Sequence, residues 1–491
     1  MSFVGRSREL QELDRQLAAV RAGRRADRGV AVLVRGRRRV GKSRLVEEFA
    51  RRSGLDVVHF QAARYAPAVQ EYDEIVRAVV DSGLPDAALA ADSRPATLTA
   101  ALTLLSAALP DDRPTIVVLD ELPWLLEGVP GAAGELQRVW DTRLSRKPVL
   151  LLLVGSDLAT METLTAADQP FHGRATELLV DPLTPADVAH MSGLTGSDAF
   201  DAYLVTGGLP LVVQEWERGW SLPEFLESSF AASTSALVVA GARALDGEVP
   251  ESSHPRQVLT AIGARGERTY TGIRNAGAQP MNATTLTASL EALVARRLVA
   301  ADEPLSTRYA HRDRRYRIAD PGLRFWLAFV EPALSEVDRG RPDLATARVR
   351  AGFAAWRGRA VGPVVRDALA RLLPDERWPR VARVGGWWPR TNVPEIDLTA
   401  VDRARSTLEL VGTVKWRRDA PLTADEVAAL ASSATAVPGA GLTTPLVAVC
   451  PAGVADGVAG LAQSWTADDL LGAWDVTGDS AATGRGVPAR R

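Results

Sequence analysis

Apolar residues along this chain fall into two kinds of run, and the two kinds segregate. Up to about residue 225, short unbroken apolar segments alternate with stretches of helical period: GVAVLVRG, DVVHFQA, TIVVLDE, PVLLLLVGS and TELLVDPL. A strand covered on both faces reads as a continuous apolar run, whereas a half-exposed strand alternates. The five runs therefore predict the parallel sheet of a doubly wound α/β domain. The segments 43–52, 98–109 and 134–143 are long enough to serve as its crossover helices.

From about 226 to 340 the pattern changes. HPRQVLTAIGARG and TTLTASLEALVARRLVAADEP predict two amphipathic helices, and the basic stretch STRYAHRDRRYRIADP predicts a β-hairpin wing after them. From about 345 a long helical stretch, AGFAAWRGRAVGPVVRDALARLLP, is expected to break near Gly362 and Pro363. It leads into strand-like segments and a later helix near 424–432. The last stretch, DVTGDSAATGRGVPARR, lacks both period and core residues and reads as a disordered tail. The expected organisation is 1–225, 226–340, 345–474 and a tail over 475–491.

Composition narrows the class. A chain of 491 residues is too long for one core. No apolar run approaches the ~20 residues of a membrane span, and the N-terminus shows no export signal. A single cysteine, Cys450, leaves no internal disulfide framework. These features predict a cytoplasmic protein without membrane contact. The net charge of −2 means that any nucleic-acid contact must come from local patches. Lysine occurs only at Lys42, Lys147 and Lys415, with arginine at every other basic position, so the lysines are informative.

Lys42 belongs to Gly36-Arg37-Arg38-Arg39-Val40-Gly41-Lys42-Ser43, followed by Arg44, a complete G-x-x-x-x-G-K-S between a strand and a helix. Glycines there let backbone N–H groups curl around a phosphate chain at the helix N-terminus. Lys42 reaches the β- and γ-phosphates, and the Ser43 hydroxyl binds Mg²⁺. TIVVLDE ends a strand on Asp120 and Glu121, placing them at the nucleotide crevice. Asp120 is the second anchor for Mg²⁺, and Glu121 the base that orients water. The run PVLLLLVGS delivers Ser156 to the same edge, where it would sense the γ-phosphate, although a Gly-Ser turn after a strand needs no function.

FVGRSREL, GRRRVGKS, VVLDELPWL, LVGSDLATME, FHGR and LVTGGLPLVV occur in the order seen in archaeal-type ATPases of the STAND class, which are related to AAA+ proteins. The chain resembles that family over roughly residues 1–220. The resemblance implies that Val4, Gly5 and Arg6 line the adenine pocket, that Pro210 belongs to a helical lid, and that Arg174 is an arginine near the γ-phosphate. From the residues alone Arg174 reads equally as a surface arginine.

The segment 256–299 resembles a winged helix-turn-helix, with 284–297 as recognition helix and Arg308, Arg312, Arg314 and Arg315 in or beside the wing. Such arginines suit DNA phosphates, and such modules also serve protein contacts. YRIADPGLRFW marks the junction to an added C-terminal domain in the same family, and that domain resembles a restriction-endonuclease fold. Its motif has Asp on one strand, Glu-x-Lys on the next and a further Glu on a helix, so that carboxylates hold Mg²⁺ and lysine stabilises developing charge. Here Asp397 and Lys415 are present, while Thr413 and Gly362 stand where the two glutamates would be. Glu395 and Glu409 do not restore the pattern. Asp397 and Lys415 are thus expected to be a vestigial site, or an ion pair between strands.

The expectation is a switch that binds and hydrolyses ATP with Mg²⁺. Self-association, a protein partner, and DNA contact through the winged helix and C-terminal domain stay open. The alternatives are an ATP-regulated, Mg²⁺-dependent nuclease and a nucleotide-responsive transcriptional regulator.

Overall fold

The computed structural model describes residues 3–23, 28–249, 253–310 and 313–474. The tail expected over 475–491 lies outside the described residues, as does Arg312. The chain forms two compact units, one ending at Leu183 and the other beginning at Thr184.

In the first unit the five apolar runs are strands: β1 (Val30–Arg35), β2 (Val57–Gln61), β3 (Thr115–Asp120), β4 (Val149–Gly155) and β5 (Ala175–Leu179). They form one parallel sheet in the order β2-β3-β4-β1-β5. Every residue of β3 and β4 is buried, which explains their lack of alternation. Helices Lys42–Ser53, Leu98–Ala108 and Ala132–Thr142 are crossovers or parts of crossovers, within two residues of the expected bounds. A core of Leu33, Phe60, Val117, Leu151, Leu102 and Leu136 lies among these elements and fixes the sheet against its helices. Each such side chain contributes about 1.5–3 kcal/mol on burial.

The second unit opens with helices Pro185–Ser192, Gly196–Thr206, Pro210–Val213, Leu222–Phe230 and Ala236–Glu248. Thr184 starts the first with a capping box closed by Asp187. Helices His254–Ile262, Tyr270–Arg274 and Ala283–Ala295 follow, interleaved with β6 (Arg268–Thr269), β7 (Val299–Asp302) and β8 (Arg315–Ile318). The three strands form an antiparallel sheet in the order β6-β8-β7.

The helix Pro342–Leu372 then runs 31 residues without a break, so the interruption expected at Gly362 and Pro363 does not occur. Proline there removes one backbone hydrogen bond and crowds the preceding turn. Burial of Ala360, Val361 and Val365 around it outweighs that loss and keeps the helix intact. Next come β9 (Arg383–Trp387), β10 (Ile396–Val401), β11 (Leu408–Val414), the helix Ala424–Ala434, β12 (Leu446–Val449) and β13 (Gln463–Trp465). The sheet is mixed, with β9, β10 and β11 antiparallel and β11, β12 and β13 parallel. The five strands and the helix Ala424–Ala434 make a separate mixed-sheet domain that follows the long helix.

The segment between β7 and β8 packs into this last sheet. Leu305 is buried with Trp387, Ile396, Val401 and Val411, and its N–H donates to the Gly386 carbonyl at 2.8 Å. A Cβ at Gly385 would lie 2.9 Å from the Leu305 Cβ, so glycine there makes room for the wing. Arg405 clamps the same segment, donating from Nε and Nη2 to the Ser306 carbonyl at 3.0 and 2.8 Å.

Candidate functional site

Strand β1 ends in the loop beginning at Gly36, and the helix Lys42–Ser53 leaves it. A Cβ at Gly36 would come within 2.3 Å of the Val180 carbonyl oxygen, so no other residue fits without moving backbone. Gly41, with φ 90°, turns the chain into the helix. Lys42 is buried, and its ammonium curls over the loop, donating to the carbonyls of Gly36 and Arg37 at 2.9 Å each. A cation is thereby held at a helix N-terminus whose backbone already favours an anion.

Arg6 braces this loop. It is 7% exposed, and its guanidinium donates to the Val40 carbonyl at 2.6 Å and the Asp181 carbonyl at 2.5 Å. The stretch Val4-Gly5-Arg6 is thus fixed beside the P-loop, with Gly5 and Arg6 both in the left-handed region.

Strand register gathers the remaining groups. Leu119 pairs with Leu153, and Arg35 with Gly155, so Asp120, Glu121, Gly36 and Ser156 leave three adjacent strands at one edge. Asp120 is 2% exposed, and its Oδ1 accepts from the Glu121 N–H at 2.8 Å. Glu121 adopts φ 49°, a left-handed conformation that a non-glycine residue takes only when its surroundings impose it. Its Oε2 accepts from Ser156 Oγ at 3.0 Å. Ser156 therefore meets the carboxylate expected to act as base, a contact set by strand register and not by any local motif.

Among the described residues no three His, Cys, Asp or Glu side chains gather to hold a metal by themselves. Asp120 and the Ser43 hydroxyl are the donors expected to hold Mg²⁺, with Glu121 and Ser156 at the same edge. That set suits Mg²⁺, which keeps waters and completes its shell with substrate phosphates.

Arg174 is elsewhere. It precedes β5, and Ala31 pairs with Ala175, whereas the P-loop follows Arg35. Arg174 therefore lies at the opposite edge of the sheet, roughly 20 Å along the strands from the loop. There it forms a bidentate pair with Asp141 at 2.7 and 3.0 Å. The expectation that it stands near the γ-phosphate of its own chain is corrected: FHGR lies before the strand, not after it.

Glu71 went unnoticed in the sequence. It is 2% exposed, its Oε1 accepts from the Ala63 N–H at 2.9 Å, and burial pushes its carboxyl up. Ala63 follows Ala62, whose N–H donates to the Asp120 carbonyl at 3.0 Å. The available signal was an acid in register with the buried Ile75 and Val79 of its helix.

In the second unit Pro210 opens a four-residue helix after Gly207 and Gly208, both left-handed. The wing arginines are largely committed. Arg314 pairs with Glu303. Arg315 is buried under the Trp388 ring at 4.3 Å, with Glu395 at 2.7 Å and Asn392 at 2.9 Å. Arg308 is exposed.

Asp397 and Lys415 do not form an ion pair among the described residues. Asp397 Oδ2 accepts instead from Thr413 Oγ1 and the Val414 N–H, each at 2.9 Å. On the helix, a Cβ at Gly362 would face the guanidinium of Arg366 at 3.7 Å, and that Nη1 donates to the Asp397 carbonyl at 3.3 Å. A cation, Arg366, thus lies beside Gly362 and Asp397. Glu409 is paired with Arg380 at 3.2 Å. Burial pushes the Glu426 carboxyl up, but Arg417, the Thr423 N–H and Lys415 bring it below its ordinary value.

Comparison with known proteins follows these two halves. Residues 2–152 match the family described as AAA ATPase domain. Residues 326–429 match the family described as archaeal and bacterial proteins of unknown function. An uncharacterized protein of Methanocaldococcus jannaschii is 24% identical over 311 residues, 62% of this chain and 67% of that protein. Among solved structures, a Walker-type ATPase of Pyrococcus abyssi is 19% identical, with TM-score 0.45, over 66% of this chain and 96% of that one. The ORC2 protein of Aeropyrum pernix, solved as ADPNP and ADP complexes, is 16% identical with TM-score 0.40, over 72% and 96%. A STAND protein of Pyrococcus horikoshii with a tetratricopeptide-repeat sensor is 13% identical with TM-score 0.30, over 75% and 50%. The chain joins an AAA ATPase domain to the C-terminal domain of a family of archaeal and bacterial proteins of unknown function.

Proposed function

We propose that the chain is a nucleotide-driven switch that binds ATP with Mg²⁺ and hydrolyses it. The observation that carries this is the convergence of Lys42, Asp120, Glu121 and Ser156 on one edge of three adjacent strands. The ammonium of Lys42 exchanges its two loop carbonyls for phosphate oxygens. Ser43 and Asp120 would hold Mg²⁺, which when bound neutralises phosphate charge. Glu121, aimed by Ser156, orients the attacking water and takes up its proton as the terminal phosphoryl group leaves. The helical segment carrying Pro210 is the lid that responds to nucleotide.

The C-terminal domain does not cut DNA in this reading. Asp397 spends one oxygen on β11, its helix partner is replaced by Gly362 and Arg366, and Glu395 and Glu409 are bound to arginines. Arg314 and Arg315 are held in intramolecular contacts, so any contact with DNA falls to the exposed Arg308 and to the helix Ala283–Ala295. Its exposed Thr284, Thr287 and Glu291 offer no cation to a phosphate. The arrangement favours transmission to a protein partner over reading of base sequence.

The test is ATP turnover by the full chain with and without duplex DNA. Glu121→Gln is expected to retain nucleotide binding and lose at least about 100-fold in kcat, and Lys42→Ala to lose binding. Wild-type protein that binds ATP but never turns it over, alone or with DNA, would leave a binding module and sink the hydrolase reading.

A further inference from the structure

The helix Gly196–Thr206 is welded to the C-terminal domain within the second unit. Asp201, near its centre, is 2% exposed. One carboxylate oxygen, Oδ2, accepts from Arg357 Nη1 at 3.0 Å and from Arg418 Nη2 at 2.5 Å. Arg357 belongs to the long helix Pro342–Leu372, and Arg418 follows β11. Arg418 pairs also with Asp198, one turn earlier. Around this hub the Phe200 ring meets Trp416 edge-on at 4.9 Å. At the helix start, the Gly196 N–H donates to Asp468 at 2.8 Å.

The same helix is gripped at its far end. A Cβ at Gly207 would lie 2.9 Å from both Asp320 Oδ1 and the Gly322 backbone, so the glycine lets the junction segment press directly on the turn. With Leu305 of the wing buried in the C-terminal sheet, three separate contacts tie lid, winged helix and C-terminal domain together.

The chemistry at Asp201 makes this more than ordinary packing. A buried carboxylate that loses either of its cations is left poorly solvated, so Arg357 and Arg418 each hold the joint. Yet the network is only half satisfied: Asp201 Oδ1, Arg357 Nε and Trp416 Nε1 are buried without hydrogen-bond partners. Polar atoms left unpaired in a buried network weaken the hold of the joint, a property suited to one that changes state.

We propose that Asp201, clamped by Arg357 and Arg418, makes the C-terminal domain the load carried by the lid, so that a nucleotide-driven movement of the helix Gly196–Thr206 is transmitted to the segment after β11. The proposal rests on the reading of the segment carrying Pro210 as an ATP-responsive lid and extends that lid to the preceding helix Gly196–Thr206.

The experiment is hydrogen–deuterium exchange on the full chain, with and without a non-hydrolysable ATP analogue, following peptides over 196–206 and 414–430. Binding of the analogue is titrated separately, with Lys42→Ala as the non-binding control. Wild type is expected to change exchange at least threefold in both segments. In Arg418→Gln, and independently in Asp201→Asn, the response over 196–206 should persist, while that over 414–430 falls at least threefold. Cooperative thermal unfolding identifies the variants that remain folded, and Arg357→Gln replaces either one that does not. Undiminished response over 414–430 in the folded variants, or a wild type that binds analogue and responds only over 196–206, overturns the coupling while leaving the ATP-binding reading intact. Failure of the analogue to bind at all overturns both.

Discussion

Ser156 donates a hydrogen bond from Oγ to Glu121 Oε2 at 3.0 Å. A group expected at the γ-phosphate instead steadies the carboxylate that would act on water. Glu121 sits at φ 49°, so its direction depends on such a restraint more than that of a relaxed residue would. Ser156→Ala is expected to lower kcat for ATP hydrolysis roughly tenfold, in line with loss of one hydrogen bond to a charged group. KM should stay within about twofold, because the contact does not touch the bound phosphates. Ser156→Thr should recover most of the rate. Steady-state kinetics on the three proteins checks this.

Gly36 is the position where the P-loop tolerates no side chain. The 2.3 Å approach of an added Cβ to the Val180 carbonyl oxygen is to backbone, which cannot rotate away. Gly36→Ala should displace the loop from β5 and weaken ATP binding at least about tenfold, a change of about 1.4 kcal/mol. Equilibrium titration with a fluorescent ATP analogue measures it. Unchanged affinity would mean that the loop moves as a rigid body.

Arg174 is expected to be silent in the isolated chain. Its bidentate partner Asp141 and its part-exposed setting make it a surface ion pair, worth about 1 kcal/mol or less. Arg174→Ala should leave the Kd for ATP within about twofold. A larger effect confined to self-associated protein, seen by comparing activity across a concentration series, would assign the arginine to a neighbouring copy.

Glu71 sets a pH dependence. Burial raises its folded-state pKa above the ordinary carboxyl value of 4.5. Folding therefore binds a proton, and the contribution to stability is full below that value and lost as pH rises through the raised pKa. Glu71→Gln keeps the acceptor for the Ala63 N–H and removes the charge. It should raise the Tm at pH 8 by roughly 2–4 °C, the gain shrinking toward zero near pH 4. Differential scanning calorimetry at the two pH values gives the sign.

Asp397 is expected to act as a structural acceptor. Asp397→Ala leaves the Thr413 hydroxyl and the Val414 N–H short of a partner, and should destabilise the C-terminal domain by about 1–3 kcal/mol. Plasmid incubated with wild type and Mg²⁺ or Mn²⁺ should stay intact. Metal-dependent cutting that disappears in Asp397→Ala would instead establish a nuclease.

The fold was legible where local pattern and tertiary demand coincide. Uninterrupted apolar runs announced five strands, of which β1, β3 and β4 are buried almost throughout while β2 and β5 keep exposed positions, and the glycine, lysine and hydroxyl spacing announced the loop at Gly36. Proline misled at Pro363, where a local rule met a helix buried on one side by Ala360, Val361 and Val365.

By itself the sequence determined which residues are available: the P-loop, Asp120 and Glu121, the buried strands, and Thr413 and Gly362 beside Asp397. The tertiary structure alone decided how those residues are used. Strand register sent Arg174 to the wrong edge for phosphate and brought Ser156 onto Glu121. Packing over long separations sank the wing beside Trp387 and trapped Asp201 between Arg357 and Arg418. The reason is physical. A motif encodes chemistry within one turn of chain, whereas partners 156 and 217 residues apart, as Arg357 and Arg418 are from Asp201, meet only when whole elements bury their faces together.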